Sequence, residues 1–325
     1  MIEQAVNSSV EAIVAELLRR TAFVAVSHVK PDGDTLGAGL ALGLALKRLG
    51  KQVHYFQQDP VPRNLRFLPE AGFVARALPP DLPKDALWIF CDMSSPSRAG
   101  EFLPALEREN ILDIDHHLGN DLFGKFNFVI PTECSTGTAV MHLLRGLHVE
   151  VDRDIATLIL TTIMTDTGGF MHSNTTAEVL DLSAELIRAG ADKEQITEEI
   201  FGNKRPAALK LLAKALDTMR FEHDGRYCHS AVTQEMLAQT GADGEDTEEI
   251  VNHLRSMDGV EVSALFKAYD GEIRVSLRSR GRVNVQAAAA SLDGGGHFRA
   301  AGLTYRGSLD QAVAAVDAAL VAQGL

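Results

Sequence analysis

The sequence has few cysteines, no long uncharged apolar run and no surplus of basic residues. Its three cysteines show no paired spacing and offer no disulfide framework, so we expect a reducing, cytoplasmic setting. No apolar stretch is long enough to cross a bilayer, and the first residues lack the basic start of a secretory signal. We therefore expect a protein that neither spans a membrane nor is exported.

The charge balance limits the kind of partner. The formal net charge is -13, from 31 Lys and Arg against 44 Asp and Glu. Proteins that bind long nucleic acids gain affinity when many Lys and Arg release counterions from phosphates, so a long nucleic acid is disfavoured. Short RNA or small anionic substrates remain open. The 325 residues, 46% of them hydrophobic, favour two domains.

Several short apolar runs end abruptly in acids and imidazoles. They are 23–27 before His28, Asp32 and Asp34; 87–91 before Asp92; 111–114 before Asp115, His116 and His117; and 158–164 before Asp166. A buried strand that ends in polar side chains is the usual place for a ligand site in an open α/β sheet. The candidate hard metal ligands are His28, Asp32, Asp34, Asp92, His116 and Asp166.

Strand and helix patterns alternate through the first 200 residues. A further strand is predicted at 51–56, and helical apolar spacing occurs at 9–20, 35–49, 138–147, 153–164, 176–189 and 194–201. The run before Asp166 thus has the composition of a buried strand but lies inside a helical pattern. The alternation predicts an α/β fold with a doubly wound, largely parallel sheet.

The pattern resets between Asn203 and Gly225. We expect a first domain over 1–203, a helical linker over 204–224, and a smaller α/β domain over 225–325. Predicted strands of that domain lie at 227–232, 260–269 and 272–277, and predicted helices at 248–257 and 309–321.

A glycine run in the second domain is a candidate anion site. Gly294, Gly295 and Gly296 allow backbone amides to approach an anion closely, and His297 closes the run. Arginines at a preceding strand end favour a phosphate or nucleotide clamp. The residues of that strand end, with a nearby amide, are Arg278, Ser279, Arg280 and Asn284.

Taken singly, most of these features have ordinary structural explanations. Asp32 and Asp34 fit a Pro-Asp-Gly turn, Asp92 fits a helix N-cap, and Asp166 fits a capped helix junction. The adjacent imidazoles of His116 and His117 have little structural use, and their clustering with acids favours a functional site.

Together, five motifs resemble the successive signatures of the DHH phosphoesterase family. They are His28-Val29-Lys30-Pro31-Asp32-Gly33-Asp34, Asp92, Asp115-His116-His117, Thr165-Asp166-Thr167-Gly168 and Gly294-Gly295-Gly296-His297. Their order and spacing resemble the NrnA-like branch, stand-alone oligoribonucleases that also act as 3'-phosphoadenosine 5'-phosphate phosphatases. The resemblance covers the DHH domain and its associated C-terminal domain. Two positions depart from it: Asp293 stands where a glycine is usual, and Thr138 where an acid is usual.

The resemblance implies a centre of two divalent cations. His28 and Asp32 would bind one ion, with Asp92 bridging to a second ion held by Asp34, His116 and Asp166. Four carboxylates balance two dications, and mixed oxygen and nitrogen donors suit Mn²⁺, with Mg²⁺ or Co²⁺ as possible substitutes. Such a pair can support in-line displacement at phosphorus.

Further roles follow from the same resemblance. Asp92 and His117 would be catalytic, His117 through a phosphate oxygen or the leaving group, and Asp115 would orient an imidazole. The rest of the substrate would be held by Arg280 and Gly294, Gly295, Gly296 and His297, with Arg278, Ser279, Asn284 and Arg98 as further candidates.

The implied activity is hydrolysis of short oligoribonucleotides to mononucleotides and of 3'-phosphoadenosine 5'-phosphate to AMP, by a homodimer. One alternative is a phosphodiesterase for linear or cyclic dinucleotides such as pApA and c-di-AMP. A relative acting on pyrophosphate is disfavoured by the nucleotide-clamp domain. From another class, a nucleotide-binding sensor without catalysis remains, although a pure binder has little need for a bridging carboxylate.

Overall fold

Each half of the chain builds its own six-stranded sheet. The computed structural model describes residues 6–325 except 102, 104 and 270. The chain divides into two compact units, Met1–Asn203 and Lys204–Leu325. Within the described residues, no helix is both long and apolar enough to cross a membrane.

The first unit contains the parallel sheet. Its strands are β1 Ala22–Val26, β2 Gln52–Phe56, β3 Val74–Ala75, β4 Leu87–Cys91, β5 Ile111–Asp115 and β6 Phe126–Val129. They lie in the order β3-β2-β1-β4-β5-β6, and every pair is parallel. The order reverses between β1 and β4, which is the topological switch point of a doubly wound sheet. The predicted α/β class is confirmed, and only β3 and β6 lack a sequence prediction.

Both faces of this sheet are buried. Alternate residues of β1 show the division: Phe23 and Ala25 belong to the core beneath the helices, whereas Val24 and Val26 face the opposite side. That side is covered by connecting segments with short 3-10 turns at Pro96–Ala99 and Arg108–Asn110. A sheet buried on both faces requires strands that are apolar throughout, as the sequence of β1 is.

The helices of the first unit begin at recognisable caps. They are α1 Val10–Arg19, α2 Gly33–Arg48, α3 Thr136–Gly146, α4 Arg153–Asp166, α5 Ala177–Arg188 and α6 Lys193–Thr197, the last followed by a π-helical turn at Glu198–Gly202. Helix α3 begins two residues before its predicted start because Ser135 and Thr138 form a capping box. The run 158–164 is helical, so Asp166 is placed by the end of a helix and the strand-like interpretation is wrong.

Glycines let α2 and α3 approach α4 closely. A Cβ atom added to Gly37 would lie 2.8 Å from the Leu158 carbonyl oxygen. One added to Gly137 would lie 1.9 Å from Thr162 Oγ1. Both distances are far below van der Waals contact, so only glycine fits at these positions. The close packing fixes the ends of α2, α3 and α4, which all carry residues of the candidate site.

The second unit has a mixed sheet between two helical layers. Its elements are α7 Pro206–Asp217, β7 Arg220–Glu222, β8 Tyr227–Thr233, α8 Gln234–Thr240, α9 Ile250–Arg255, β9 Val262–Tyr269, β10 Glu272–Ser279, α10 Val285–Ala290, β11 Gly295–His297, β12 Ala300–Tyr305 and α11 Leu309–Val321. The order is β11-β12-β10-β9-β8-β7, with only β8 and β9 parallel. Helix α7 buries Leu211 and Ala215 in the core of this unit, against Val232 and Leu265.

Candidate metal centre

The six predicted ligands converge at the switch point of the parallel sheet. His28 lies two residues beyond β1, Asp92 directly follows β4, and His116 directly follows β5. The donor atoms form three groups, and within each group they lie within 4.8 Å of one another. The groups are His28, Asp32 and Asp92; Asp34, His116 and Asp166; and Asp92, His116 and His117. The predicted ligand set is therefore brought together without omission.

Backbone carbonyls orient the two imidazoles. His28 Nδ1 donates to the Val29 carbonyl at 2.9 Å, and His116 Nδ1 donates to the Glu133 carbonyl at 3.2 Å. Because a carbonyl can only accept, the Nε2 of each ring would present its lone pair to the centre once the ring is neutral. His28 Nε2 lies 3.5 Å from Asp92 Oδ2, and His116 Nε2 lies 3.5 Å from Asp92 Oδ1. Asp92 thus directs one oxygen toward each imidazole, as a bridging carboxylate would.

The backbone of Asp92 is held in an uncommon conformation. Its φ is 63°, in the left-handed region that Asp and Asn tolerate better than most residues. Its amide donates to the Ile114 carbonyl at 2.9 Å, and Thr136 Oγ1 donates to its Oδ1 at 3.1 Å. These bonds fix the carboxylate of Asp92 between the two imidazoles.

Asp34 is anchored by the N-terminus of α3. Its Oδ2 accepts from the Thr136 amide at 2.7 Å and its Oδ1 from the Gly137 amide at 3.0 Å. The carboxylate is fully buried, and unpaired amides at a helix start favour negative charge. Burial, followed by the charges of Asp92 and Asp166, nevertheless raises the pKa of Asp34 well above its usual range.

The remaining two acids combine structural and candidate ligand roles. Asp32 caps α2, since its Oδ1 accepts from the amides of Asp34 and Thr35 at 3.0 and 3.1 Å. Its Oδ2 lies 3.7 Å from His28 Nε2. Asp166 ends α4, and its Oδ2 lies 3.1 Å from His116 Nε2. The turn expected at Asp32 is therefore also the cap of α2, and this structural role is compatible with a place in the centre.

The cluster carries more negative charge than its surroundings can stabilise. Burial alone would lower the pKa of His28, but Asp32 and Asp92 outweigh it and raise that pKa to about 10. Burial is likewise outweighed at His116, where Asp166 contributes most to a pKa of about 11. Such a site holds extra protons unless cations replace them. Carboxylate oxygens and neutral imidazole nitrogens are suitable donors for divalent cations.

His117 is held by Asp115, a carboxylate outside the proposed ligand set, and its Nδ1 also lies 3.5 Å from Asp92 Oδ1. Its Nδ1 donates to Asp115 Oδ1 at 2.5 Å, and the same oxygen accepts from the His116 amide at 2.8 Å. The other oxygen of Asp115 accepts from Asn120 Nδ2 at 2.7 Å. Asn120 and Thr136 were missed by the sequence analysis. The sequence signal for Asn120 is its position as a polar loop residue shortly after the adjacent imidazoles of His116 and His117.

The candidate substrate residues are distributed over both units. In the first unit, the carbonyl of Arg98 accepts from the Val29 amide at 2.8 Å, and the Arg98 residue is exposed. In the second unit, Arg278 and Ser279 end β10 on opposite faces, and Arg280 follows. The Ser279 side chain is buried, and Asn284 caps α10 by accepting from the Ala287 amide at 3.0 Å.

The glycine run forms a short strand as well as a loop. Gly295, Gly296 and His297 pair with β12, so part of their backbone is already hydrogen-bonded. The side chain of His297 lies outside the described part of the structure. Asp293 has a φ of 59°, a left-handed conformation in which the usual glycine is unstrained.

Comparison with known proteins agrees with this architecture. The model of the DHH family N-terminal domain matches residues 22–163, and that of the DHHA1 domain matches residues 224–322. The chain is 37% identical to the bifunctional oligoribonuclease and PAP phosphatase NrnA of Thermus thermophilus, over 92% of this chain and 90% of that protein.

Two further relatives widen the comparison. The cyclic-di-AMP phosphodiesterase GdpP of Geobacillus thermodenitrificans is 28% identical over 84% of this chain and 43% of its own. A crystal structure of an exopolyphosphatase-related protein from Bacteroides fragilis matches with a TM-score of 0.87 and 25% identity, over 99% of this chain and 98% of that one. On the sequence identity, the matched domains and the fold, the chain belongs to the DHH family of hydrolases.

Proposed function

We propose that this protein is a divalent-cation-dependent phosphoesterase that hydrolyses short oligoribonucleotides to mononucleotides and 3'-phosphoadenosine 5'-phosphate to AMP. Two neighbouring donor groups carry the proposal: one of His28, Asp32 and Asp92, and one of Asp34, His116 and Asp166. Asp92 connects them, because its other oxygen lies 3.5 Å from His116 Nε2. A relative 37% identical over 92% of the chain has the same pair of activities in its name. Both substrates require attack of water on a phosphate ester, so one centre serves both.

The donor groups suit two ions. His28 and Asp32 would hold the first, and Asp34, His116 and Asp166 the second, with one oxygen of Asp92 turned toward each. Two bound cations would activate water and neutralise charge on the phosphate. We propose Mn²⁺ as the preferred ion because imidazole nitrogen joins carboxylate oxygen in each group, whereas Mg²⁺ prefers oxygen and retained water.

His117 is suited to proton transfer. Its Nδ1 donates to Asp115, and we propose that its Nε2 contacts a phosphate oxygen or the leaving group when substrate binds. Although burial lowers it, the hydrogen bond to Asp115 and the charge of Asp92 raise the pKa of His117 overall. A proton on Nε2 would stabilise the negative charge that develops on the phosphate or on the departing oxygen.

We propose that the second unit recognises the substrate. Arg280 is exposed at the end of β10, and Gly294 to His297 lie at the edge of the same sheet. We propose that this edge holds the nucleotide beyond the scissile phosphate, with Arg98 contacting phosphate in the first unit. The net charge of -13 disfavours a long strand and is compatible with a substrate of a few residues.

Dinucleotide hydrolysis is the second candidate function. The observation that favours it is the 28% identity to the cyclic-di-AMP phosphodiesterase GdpP of Geobacillus thermodenitrificans, which covers 84% of this chain. The same donor groups would serve that reaction, so the substrate panel must separate the two.

The test is a single time course with Mn²⁺ over four kinds of substrate: RNAs of two to five residues, 3'-phosphoadenosine 5'-phosphate, pApA and c-di-AMP. We expect the short RNAs and 3'-phosphoadenosine 5'-phosphate to yield mononucleotides fastest. Turnover confined to the diadenylates would assign the second function. Tight nucleotide binding with no turnover in any divalent cation would instead indicate a sensor.

A matched pair of variants ties the activity to the centre. Asp92→Asn keeps the size of the side chain and tolerates its positive φ, yet removes the charge shared by the two donor groups. Asp181→Asn makes the same chemical change at an exposed position of α5. We expect only the first to lose hydrolysis and bound Mn²⁺; full activity in Asp92→Asn would refute the two-ion mechanism.

Location and assembly complete the proposal. Three buried, unpaired cysteines, Cys91, Cys134 and Cys228, suit a reducing compartment, and we propose a cytoplasmic location. The homodimer implied by the family resemblance stays a prediction, which light scattering of the purified chain would test.

A further inference from the structure

Asp113 is a buried acid that the proposed metal centre does not use. It lies in the middle of β5, is 0% exposed, and has Phe90 of β4 and Asn127 of β6 as its neighbours across the sheet. Its Oδ2 has no hydrogen-bond partner among the described residues. An ionised carboxylate in this position would be poorly solvated, so the site favours a neutral carboxyl group.

The other oxygen of Asp113 shares a donor with the residue that holds His117. Asn120 Nδ2 lies 3.3 Å from Asp113 Oδ1, 2.7 Å from Asp115 Oδ2 and 3.1 Å from the Met93 carbonyl. Exchanging the nitrogen and oxygen of the Asn120 amide would lose a hydrogen bond, because its Oδ1 accepts from the Leu122 amide at 2.6 Å. An amide group has two hydrogens, so three acceptors compete for them.

The outcome of that competition depends on the charge of Asp113. The titratable groups near it are Asp115 on the same strand, Asp121 in the following loop and the Cys91 thiol of β4. Burial raises the pKa of the Cys91 thiol well above its usual value, so that it stays uncharged, and the pairing neighbours Phe90 and Asn127 do not titrate. Burial, and then the charge of Asp115, raise the pKa of Asp113 to about 8. At neutral pH the carboxyl group is therefore uncharged and is a weak competitor for the Asn120 hydrogens.

We propose that Asp113 is a positioning residue that acts through Asn120. While Asp113 is neutral, the Asn120 amide stays with Asp115, which holds His117; when Asp113 ionises, it draws that amide away and loosens the Asp115–His117 pair. The inference rests on the proposed function, in which His117 contacts the substrate. Loosening His117 lowers kcat at alkaline pH and leaves KM unchanged, because the contacts proposed for substrate binding by the second unit do not involve β5.

The test compares pH profiles of kcat and KM in Mn²⁺ for the wild type, Asp113→Asn and Asp113→Leu. In the wild type we expect kcat to fall at least fivefold between pH 7 and pH 9.5, with a midpoint near 8. In both variants we expect less than a twofold fall over the same range, relative to their own value at pH 7. Asp121→Asn is the matched control, since it removes a neighbouring charge and leaves Asp113 in place; it should keep the alkaline fall.

A second readout does not need turnover. In Mg²⁺-loaded protein, the ring nitrogen signals of His117 in a ¹H–¹⁵N spectrum should show a step with a midpoint near 8 in the wild type, and that step should be absent from both Asp113 variants. If no substrate is hydrolysed, the proposed function fails and this spectrum alone decides the role of Asp113. Identical alkaline behaviour of wild type and both variants in this spectrum, or in kcat where there is turnover, would overturn the inference.

Discussion

Replacing Gly137 by alanine should damage both the stability and the activity of the first unit. The added Cβ would lie 1.9 Å from Thr162 Oγ1 and 2.6 Å from Thr162 Cβ. Rotating the threonine does not relieve the contact, because its Cβ stays in place. Even with the hydroxyl turned away, the 2.6 Å to Thr162 Cβ is below 3.0 Å, which real Cβ atoms essentially never show, so α3 and α4 must move apart.

The loss of stability in Gly137→Ala is estimated from the overpacked contact and from the weakened hydrogen bond to Asp34. Overpacking a buried site costs about 1–3 kcal/mol, and weakening the bond from the Gly137 amide to the Asp34 carboxylate costs about 1.5–3 kcal/mol. We expect the free energy of unfolding to fall by roughly 3–5 kcal/mol, out of about 5–15 kcal/mol for a typical domain. Asp34 lies on α2 and its carboxylate is anchored by the first amides of α3, so moving α3 displaces that carboxylate or releases it. A misplacement of about 1 Å at a reacting centre costs about 10²-fold in rate.

Urea unfolding and kcat/KM on a dinucleotide RNA in Mn²⁺ measure the two effects. Gly72→Ala is the matched control: its Cβ would meet nothing within 4 Å, and we expect a change within about 1 kcal/mol and full activity. Thr162→Gly, which removes the obstructing atoms, should restore part of the stability of Gly137→Ala. If Gly137→Ala unfolds within about 0.5 kcal/mol of the wild type and keeps its kcat, the close-packing explanation is wrong.

Three other predictions follow from the same structure. Asp92→Asn should lose more activity than the roughly 10–100-fold typical of a lost supporting group, and a variant that keeps both ions and its kcat would contradict the bridging role. In the metal-free protein the pKa values of His28 and His116 are about 10 and 11. Their protonated rings therefore stabilise the folded state fully below the unfolded pKa of about 6.5, and this contribution is lost as the pH rises through 10–11. Mn²⁺ must displace their protons, so calorimetry should show proton release on binding and an affinity that rises from pH 6 to 9; a pH-independent affinity would exclude this linkage. Glu16→Gln should lower the free energy of unfolding by about 1 kcal/mol at pH 7, because the hydrogen bond from Arg19 lowers the pKa of Glu16 despite burial. Urea unfolding should show this difference shrinking as the pH falls and the carboxyl group is protonated, and no difference at pH 7 would show that the pairing contributes nothing.

The sequence patterns predict the elements that carry the site, because the buried faces of helices and strands repeat apolar residues at characteristic spacings. The predicted strand at 87–91 coincides with β4, and the predicted helix at 35–49 lies within two residues of α2, Gly33–Arg48. The early start of α2 comes from Asp32, whose carboxylate caps the helix. The sequence indicates that Asp32 is a turn residue or a metal ligand, and it does not indicate that the same carboxylate also caps α2.

Other features depend on partners that are distant in sequence. Thr136 donates to Asp34 from 102 positions away, and no periodicity signals such a pair. Strand β12, Ala300–Tyr305, was missed since its small residues and Gly302 lack a strand pattern; pairing with β10 and β11 makes it a strand. The π-helical turn at Glu198–Gly202 ends a predicted helix in a way that local propensity does not encode.

The proposed ligands come from four separate segments between His28 and Asp166, and no short piece of the chain contains a complete donor group. An unfolded or newly made chain therefore has nothing with which to retain the ions, and they bind only after the parallel sheet has closed. Ions that bind only the native state stabilise it by mass action, about 1.4 kcal/mol for each tenfold rise in free cation per ion above its Kd. A shortage of the proposed cations would thus cost a cell not only turnover but also part of the protein itself, because more of it would be unfolded and open to proteolysis.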